Sequence, residues 1–62
     1  MHKNILSLNS GLYSGTNENG KSVIIQRQKG VGYTISTFQD NGWYEVHEYN
    51  EKGILESTTY EK

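Results

Sequence analysis

Apolar and polar residues alternate along most of the 62-residue chain, and many of the apolar positions hold β-branched or aromatic residues. This pattern is typical of strands that turn successive side chains to opposite faces of a sheet. It predicts strands at residues 21–28, 31–38, 43–49 and 54–60, and a fifth at 11–16. Little helix is expected, because the chain has no alanine and no sustained apolar repeat at helical spacing.

Short phrases rich in asparagine and glycine separate these strands. Three of them place glycine fourth, where it can take the left-handed backbone of a type I turn followed by a bulge. They are NENG at 17–20, QDNG at 39–42 and NEKG at 50–53, and Lys29-Gly30 predicts a tighter, two-residue turn. The sequence therefore predicts an all-β protein, an antiparallel meander of four to five short strands, with strong curling into a barrel-like sheet left open.

The turns also predict which residues lie opposite one another, because a hairpin turn fixes the register of its strands. One face is expected to carry an apolar row of Tyr13, Ile24, Ile35, Val46 and Leu55. The other face is expected to carry Leu12, Val23, Ile25, Phe38, Trp43, Tyr49, Ile54 and Tyr60. In this register His47 lies opposite Glu56, and Trp43 lies opposite both Phe38 and Tyr60.

Both predicted faces are partly apolar, although an antiparallel sheet usually buries one face and exposes the other. Residues 1–10 are the part of the chain left over to cover a second face. Cover is expected from Ile5, Leu6 and Leu8 folded across the sheet, from a second subunit, from curling, or from a ligand. The pattern leaves these alternatives open.

The chain is short enough for a single small domain over residues 1–62, in which residues 1–10 have no predicted conformation. A domain of this size buries about 60% of the surface that its unfolded chain exposes. Disulfides, a metal or association often stabilise such domains. Cysteine is absent and only two histidines are present, which disfavours the first two. We therefore expect a homo-oligomer, with a dimer favoured, and no cofactor.

The charges nearly balance, with six Lys and Arg residues against seven Asp and Glu residues. Nucleic acid is thus a less favoured partner, because phosphate binding needs an excess of positive charge. No apolar run has the length of a membrane span or the form of a signal peptide, so no membrane contact and a cytoplasmic location are expected. The many residues with AT-rich codons indicate a low-GC bacterium or one of its phages.

Two groups of residues are candidates for binding a ligand or partner. Four aromatic residues, Phe38, Trp43, Tyr49 and Tyr60, are expected on one face. They suit a stacking platform for bases, although a small core or a dimer interface is the favoured interpretation. The second group, Arg27, Lys29, Gly30 and Gly32, surrounds one hairpin tip. Its backbone N–H groups and two cations suit an anionic ligand, although an ordinary hairpin tip is favoured.

Glu45, His47 and Glu56 are the one place where an imidazole and carboxylates are predicted to converge. They form a weak candidate metal or acid–base site, and a solvated charge pair across two strands is favoured instead. No Ser-His-Asp arrangement is evident, and cysteine chemistry is excluded by composition. Catalytic residues and enzymatic activity are therefore not expected.

Together these features indicate a small binding or inhibitory protein, encoded by a phage or mobile element. It is expected to occupy a host protein or to sequester a small ligand, anionic or nucleotide-like in character. The alternatives are a single-stranded nucleic-acid-binding module, which would use the same aromatic residues, and a structural subunit of a larger assembly.

Overall fold

The computed structural model describes the backbone of residues 2–62 and the side chains of residues 5–62, so Met1 lies outside the described residues. A short 3-10 helix, η1, is followed by five strands. Their bounds are η1 His2–Ser7, β1 Gly11–Thr16, β2 Ser22–Gln28, β3 Gly32–Phe38, β4 Tyr44–Asn50 and β5 Leu55–Glu61. The strands form one antiparallel sheet in chain order, with β1 and β5 at opposite edges. The predicted all-β meander is confirmed, and the sheet is open rather than closed into a barrel.

The three glycine-containing phrases make the predicted kind of turn. In each turn the glycine N–H donates to the carbonyl of the first residue, at 3.0 Å from Gly20 to Asn17 and 2.9 Å from Gly53 to Asn50. Gly20, Gly42 and Gly53 have φ angles of 78°, 88° and 82°, in the left-handed region where a side chain is strained. The asparagines add support, since the Asn17 Oδ1 accepts hydrogen bonds from the Asn19 and Lys21 N–H groups.

The predicted register is wrong in every hairpin. Each left-handed glycine is an extra residue on its strand, so the first turn residue pairs with the residue four positions later. Accordingly the Asn17 N–H donates to the Lys21 carbonyl at 2.9 Å. The connection after β2 also has three residues rather than the predicted two, because Gln28 pairs with Gly32. The slip matters because a shift of one residue moves every side chain to the other face.

The apolar row predicted across the sheet is consequently split between the two faces. One observed row contains Tyr13, Ile25, Ile35, His47 and Thr58. The row on the other face contains Ser14, Ile24, Ser36, Val46 and Thr59. Phe38 lies opposite Tyr44 rather than Trp43, and Tyr60 lies opposite Glu45. The pairing of β4 with β5 is irregular at Glu48 and Tyr49. The register changes by one residue at that point and places Leu55 opposite Tyr49.

The helix η1 lies over the first of these two faces, which we call the inner face, and the opposite one is the outer face. The Leu6 carbonyl and the Ile5 side chain both meet inner-face residues. One of the predicted sources of cover, the N-terminal segment, is thus observed. It covers only one end of the inner face, because six residues of 3-10 helix span about 12 Å, whereas strands of seven residues span about 23 Å.

Few apolar side chains are buried by this arrangement. Among the described residues, the buried hydrophobic side chains are Val23, Tyr33 and Val46. Within residues 5–62, eight large apolar side chains are exposed, namely Leu12, Ile24, Val31, Phe38, Trp43, Ile54, Leu55 and Tyr60. A single sheet with so little cover leaves much of its apolar surface available for contact with other molecules.

Candidate ligand-binding groove

The covered end of the inner face is organised by the buried side chain of Arg27. Its guanidinium makes two parallel hydrogen bonds to Glu51 in the β4–β5 turn, 2.9 Å from Nη1 to Oε1 and 2.8 Å from Nη2 to Oε2. It also donates to the Leu6 carbonyl in η1 and the Gly32 carbonyl in β3, both at 2.9 Å. Such paired contacts to a carboxylate are among the strongest hydrogen bonds in proteins. Arg27 therefore joins η1, β3 and the β4–β5 turn.

The ion pair and the burial around it change the acidity of neighbouring groups. Hydrogen bonding from Arg27 lowers the pKa of the Glu51 carboxyl, and the same bond raises the pKa of Arg27. The Tyr33 and Tyr49 rings stack at a centroid distance of 4.7 Å beside this pair. Burial raises the pKa of both phenols. The ion pair thus stays charged at neutral pH and the tyrosines stay neutral.

The hairpin tip predicted to hold an anion does not present its four residues together at the surface. Arg27 is only 1% exposed, and both of its terminal nitrogens donate to protein acceptors. Gly32 is also buried, while Lys29 and Gly30 lie exposed in the turn. Because Arg27 has no accessible terminal donor, the structure offers no support for an anion contact there. That role stays a prediction.

The other end of the inner face is an open groove of about 420 Å³. Its floor consists of Val23 and Ile25 from β2 and Ile35 from the neighbouring strand β3. Ile5 of η1 bounds the groove at one end, and the β1–β2 turn at residues 16–19 forms a wall. Thr37, His47 and Tyr49 complete the lining. The volume lies within the range of small-molecule sites, which are typically about 300–1,000 Å³.

Polar side chains also line the groove and include one carboxylate. Glu18 is one of the lining residues, and the Nε2 of His47, another, lies 3.0 Å from Oε2 of Glu45. Among the described residues that line the groove, none is Lys or Arg. The groove therefore combines an apolar floor with hydrogen-bonding and negatively charged groups, which suits a neutral or cationic ligand.

The candidate metal cluster is only partly assembled. Glu45 and His47 contact each other, but Glu56 lies beside Glu48 at a different cavity, where it accepts a hydrogen bond from the Asn50 side chain at 3.1 Å. The register error explains this, since His47 lies opposite Thr58. Among the side chains that the structure describes, no group of three or more His, Cys, Asp or Glu residues could hold a metal ion.

The four candidate aromatic residues do not form one platform. Tyr49 stacks on Tyr33 at the covered end, and Phe38 makes an edge-to-face contact with Tyr44 at 5.5 Å. Trp43 is 38% exposed and has the Lys62 ammonium 5.9 Å from its ring centroid. Tyr60 is exposed on the last strand. Successive bases stack on neighbouring aromatic rings in single-strand binders, and these four rings are not arranged in that way.

The groove residues were not predicted as a site from the sequence. Ile25 and Ile35 were assigned to opposite faces by the register error, so their shared floor with Val23 was not foreseen. The number of residues in each turn is the sequence signal that could have identified this floor. A left-handed glycine at the fourth position adds one residue to the turn and so changes the register of the strands. With that correction Ile25 and Ile35 become neighbours.

Comparisons with other proteins do not assign this chain to a family. No protein-family model matches it, and neither the curated proteins nor the solved structures gave a match. Within the described residues, no helix has the length and apolar character needed to cross a membrane. The functional argument therefore depends on the geometry of the groove and of the exposed surfaces.

Proposed function

We propose that this chain is a small, non-enzymatic binding protein that sequesters a small ligand in the inner-face groove. The observation that carries the proposal is the groove itself, with an apolar floor of Val23, Ile25 and Ile35 beneath a polar rim. Apolar concave sites with a few polar groups are the usual form of small-molecule sites. Sequestration needs no catalytic group, which agrees with the lack of a nucleophile–base arrangement in the sequence.

The charge of the rim narrows the ligand class. Glu18 and His47 line the groove, His47 contacts Glu45, and the one arginine of the chain is engaged by Glu51 elsewhere. A ligand with an apolar ring system and a neutral or cationic end fits these groups better than the anionic ligand expected from the sequence. An uncompensated carboxylate on the ligand would lie near negative groups, which is unfavourable.

Three probes that share an indole ring and differ in the charge of the side chain test this proposal. Tryptamine is cationic, tryptophol is neutral and indole-3-acetate is anionic at pH 7. In a titration followed by ¹H–¹⁵N NMR spectra, we expect tryptamine and tryptophol to shift the amides of Ile25, Ile35 and His47. Indole-3-acetate should shift them least. Equal responses to all three probes would contradict the predicted charge preference.

Two tryptophan substitutions at adjacent residues provide a matched control. Ile25→Trp places a large ring in the groove, whereas Ile24→Trp places the same ring on the outer face. We expect Ile25→Trp to abolish the shifts and Ile24→Trp to leave them unchanged. Binding that survives Ile25→Trp would remove the groove as the site. Native mass spectrometry of the freshly purified protein would report any ligand that it retains.

A second candidate function, binding of another protein, is favoured by the outer face. Leu12, Ile24 and Phe38 are 73%, 46% and 45% exposed there, and exposed apolar surface often marks a protein interface. This alternative predicts crosslinking to a partner from a photoreactive residue at position 24 but not at position 25. The nucleic-acid and structural-subunit alternatives from the sequence have no comparable observation, and a phage origin and cytoplasmic location stay predictions.

A further inference from the structure

The two edge strands of the sheet differ in how they are protected from pairing with another strand. Within the described chain, β1 pairs only with β2, and β5 pairs only with β4. An exposed edge presents unpaired N–H and C=O groups, and proteins usually protect it with charged residues, proline or bulges. β5 has such protection, because it contains Glu56 and Glu61 and its ladder with β4 is irregular at Glu48 and Tyr49.

β1 has none of these protective features. Its sequence, Gly11-Leu12-Tyr13-Ser14-Gly15-Thr16, contains no charged residue and no proline, and its pairing with β2 is regular throughout. Leu12 is the most exposed of the large apolar residues, at 73%. An uncharged, regular and exposed edge strand is a template for a further strand.

The hydrogen-bonding groups of this edge have a simple symmetry. The Asn17 N–H donates to the carbonyl of Lys21, the residue before β2, so the N–H and C=O groups of Tyr13 and Gly15 also point towards β2. Those of Leu12, Ser14 and Thr16 therefore point outwards, because the two directions alternate along an antiparallel strand. Ser14 lies at the centre of this outward set.

We propose that β1 pairs antiparallel with β1 of a second copy of this chain, around a twofold axis at Ser14. The two sheets then continue into one another as a single ten-stranded sheet, because each copy supplies five strands. Ser14 lies opposite the partner's Ser14, and Leu12 lies opposite the partner's Thr16. Such an interface is closed, since each residue contacts its counterpart reciprocally.

The side chains of this edge are complementary in that register. Tyr13 lies opposite the partner's Gly15, which adds no side chain at that point of the interface. The Tyr13 ring itself lies over Gly11 of its own strand, and its hydroxyl donates to the Asn9 carbonyl at 2.8 Å. At the end of the strand, Ser10 lies opposite the partner's Glu18.

Charge complementarity supports a second copy as the partner. Lys29 lies beside Ser10, because its N–H donates to the Ser10 Oγ at 2.9 Å and its ammonium lies 3.5 Å from the Asn9 Oδ1. The proposed register brings this ammonium towards the partner's Glu18 on each side of the axis. β5 carries Glu56 and Glu61, so a pair of β5 edges would instead bring four carboxylates to one interface, which is unfavourable.

The test is the association state of two lysine variants at matched positions. Ser14 and Thr59 are both exposed, belong to the same outer-face row and lie on opposite edges of the sheet. Sedimentation equilibrium should show a dimer for the wild-type chain. Ser14→Lys places two ammonium groups at the axis and should raise the dimer dissociation constant by about tenfold or more. Thr59→Lys should change it by less than about twofold.

A proline variant provides a second test of the β1 interface that does not depend on charge. Ser14→Pro removes an outward N–H that has no partner among the described residues, so the sheet should persist in circular dichroism spectra while the dimer is lost. A wild-type chain that is monomeric up to about 1 mM, which limits the association free energy to about −4 kcal/mol, would overturn the proposal. Dissociation by Thr59→Lys rather than Ser14→Lys would also overturn it, by assigning association to β5.

Discussion

The inner face has two ends that are built from the same strands and differ in what lies over them. At the covered end, η1 and the β4–β5 turn enclose Arg27 and Tyr33, which are only 1% and 2% exposed. At the open end, Ile25 and Ile35 are more apolar but only partly buried, and they form the floor of the groove. The deepest burial of large side chains thus occurs beneath the covering segment, since Val23 in the groove and Val46 on the outer face are 8% and 7% exposed.

The difference between the two ends has a functional consequence. The covered end stabilises the fold through a cation that holds three chain segments together, and that cation is then not available to a ligand. The open end retains apolar surface that the protein itself does not cover, and a ligand gains free energy by covering it. The same strands thus supply stability at one end and a candidate binding site at the other.

Removal of the Arg27 cation from the covered end is expected to destabilise the fold strongly. Arg27→Met is expected to leave the chain largely unfolded at 25 °C, because the buried carbonyls of Leu6 and Gly32 lose their donor in a domain of marginal stability. Circular dichroism in a urea series measures this effect. The control is Glu51→Gln, which keeps an acceptor for Arg27 and should retain the fold. Equal stability of the Arg27→Met and wild-type chains would contradict the role of Arg27.

A pair of glycine substitutions tests how closely the covered end is packed. Gly32 has φ 150°, and a Cβ there would clash with the Tyr49 carbonyl on β4. We expect Gly32→Ala to lower the free energy of unfolding by roughly 3 kcal/mol, from strain and overpacking together. Gly30→Ala should cost only about 1–2 kcal/mol, because φ 88° is strained but no atom lies within 4 Å. Similar urea midpoints for both variants would contradict this expectation. They would show that β4 moves away from a side chain at position 32 with little loss of free energy of unfolding.

The free energy of unfolding is also expected to decrease slightly at acidic pH. Because Arg27 lowers the pKa of Glu51 in the folded state, this carboxylate stabilises the fold at pH values above its ordinary pKa of 4.5. The contribution is lost as the pH falls from about 5 through the lowered folded pKa, and partial exposure of Glu51 keeps it modest. Urea midpoints between pH 7 and pH 3 should decline less steeply for Glu51→Gln than for the wild-type chain. Parallel curves would indicate that other carboxylates dominate.

The tryptophan substitutions and the indole probes also test the open end of the inner face. Ile25→Trp fills the open end with a side chain of the protein, so it should exchange ligand binding for added stability. If the Ile25→Trp variant has a higher free energy of unfolding than the wild-type chain and no longer responds to tryptamine, the two ends of the inner face differ only in what covers them. The outer-face control, Ile24→Trp, has no such groove to fill.

The meander was predictable from local sequence. Alternation gave five strands close to their observed bounds, and the glycine-containing phrases gave three of the four turns with the correct backbone conformation. Both signals depend on interactions within a few residues, such as the strain-free positive φ of Gly20. The register was not obtained, because one uncounted bulge residue per turn is enough to exchange the faces.

The candidate site shows the same division between local and long-range information. The sequence predicts Arg27 as a cation at a hairpin tip, but its burial depends on Glu51, which lies 24 residues later, and on Leu6, which lies 21 residues earlier. Glu45 and His47 share a strand and were correctly predicted to be neighbours, whereas Glu56 belongs to the next strand and was not. Contacts between distant segments require the register and the path of the covering segment.

The sequence by itself thus determined the strand content, the order of the hairpins and the absence of cysteine chemistry, since these follow from side-chain alternation, turn residues and composition. Only the tertiary structure decided which apolar residues share a face, where Arg27 points and which end of the sheet stays open. The physical reason is that η1 is held at one end of the sheet by the hydrogen bond from Arg27 to the Leu6 carbonyl, a contact between residues 21 positions apart. The chain therefore encloses an ion pair at that end and leaves an apolar groove at the other.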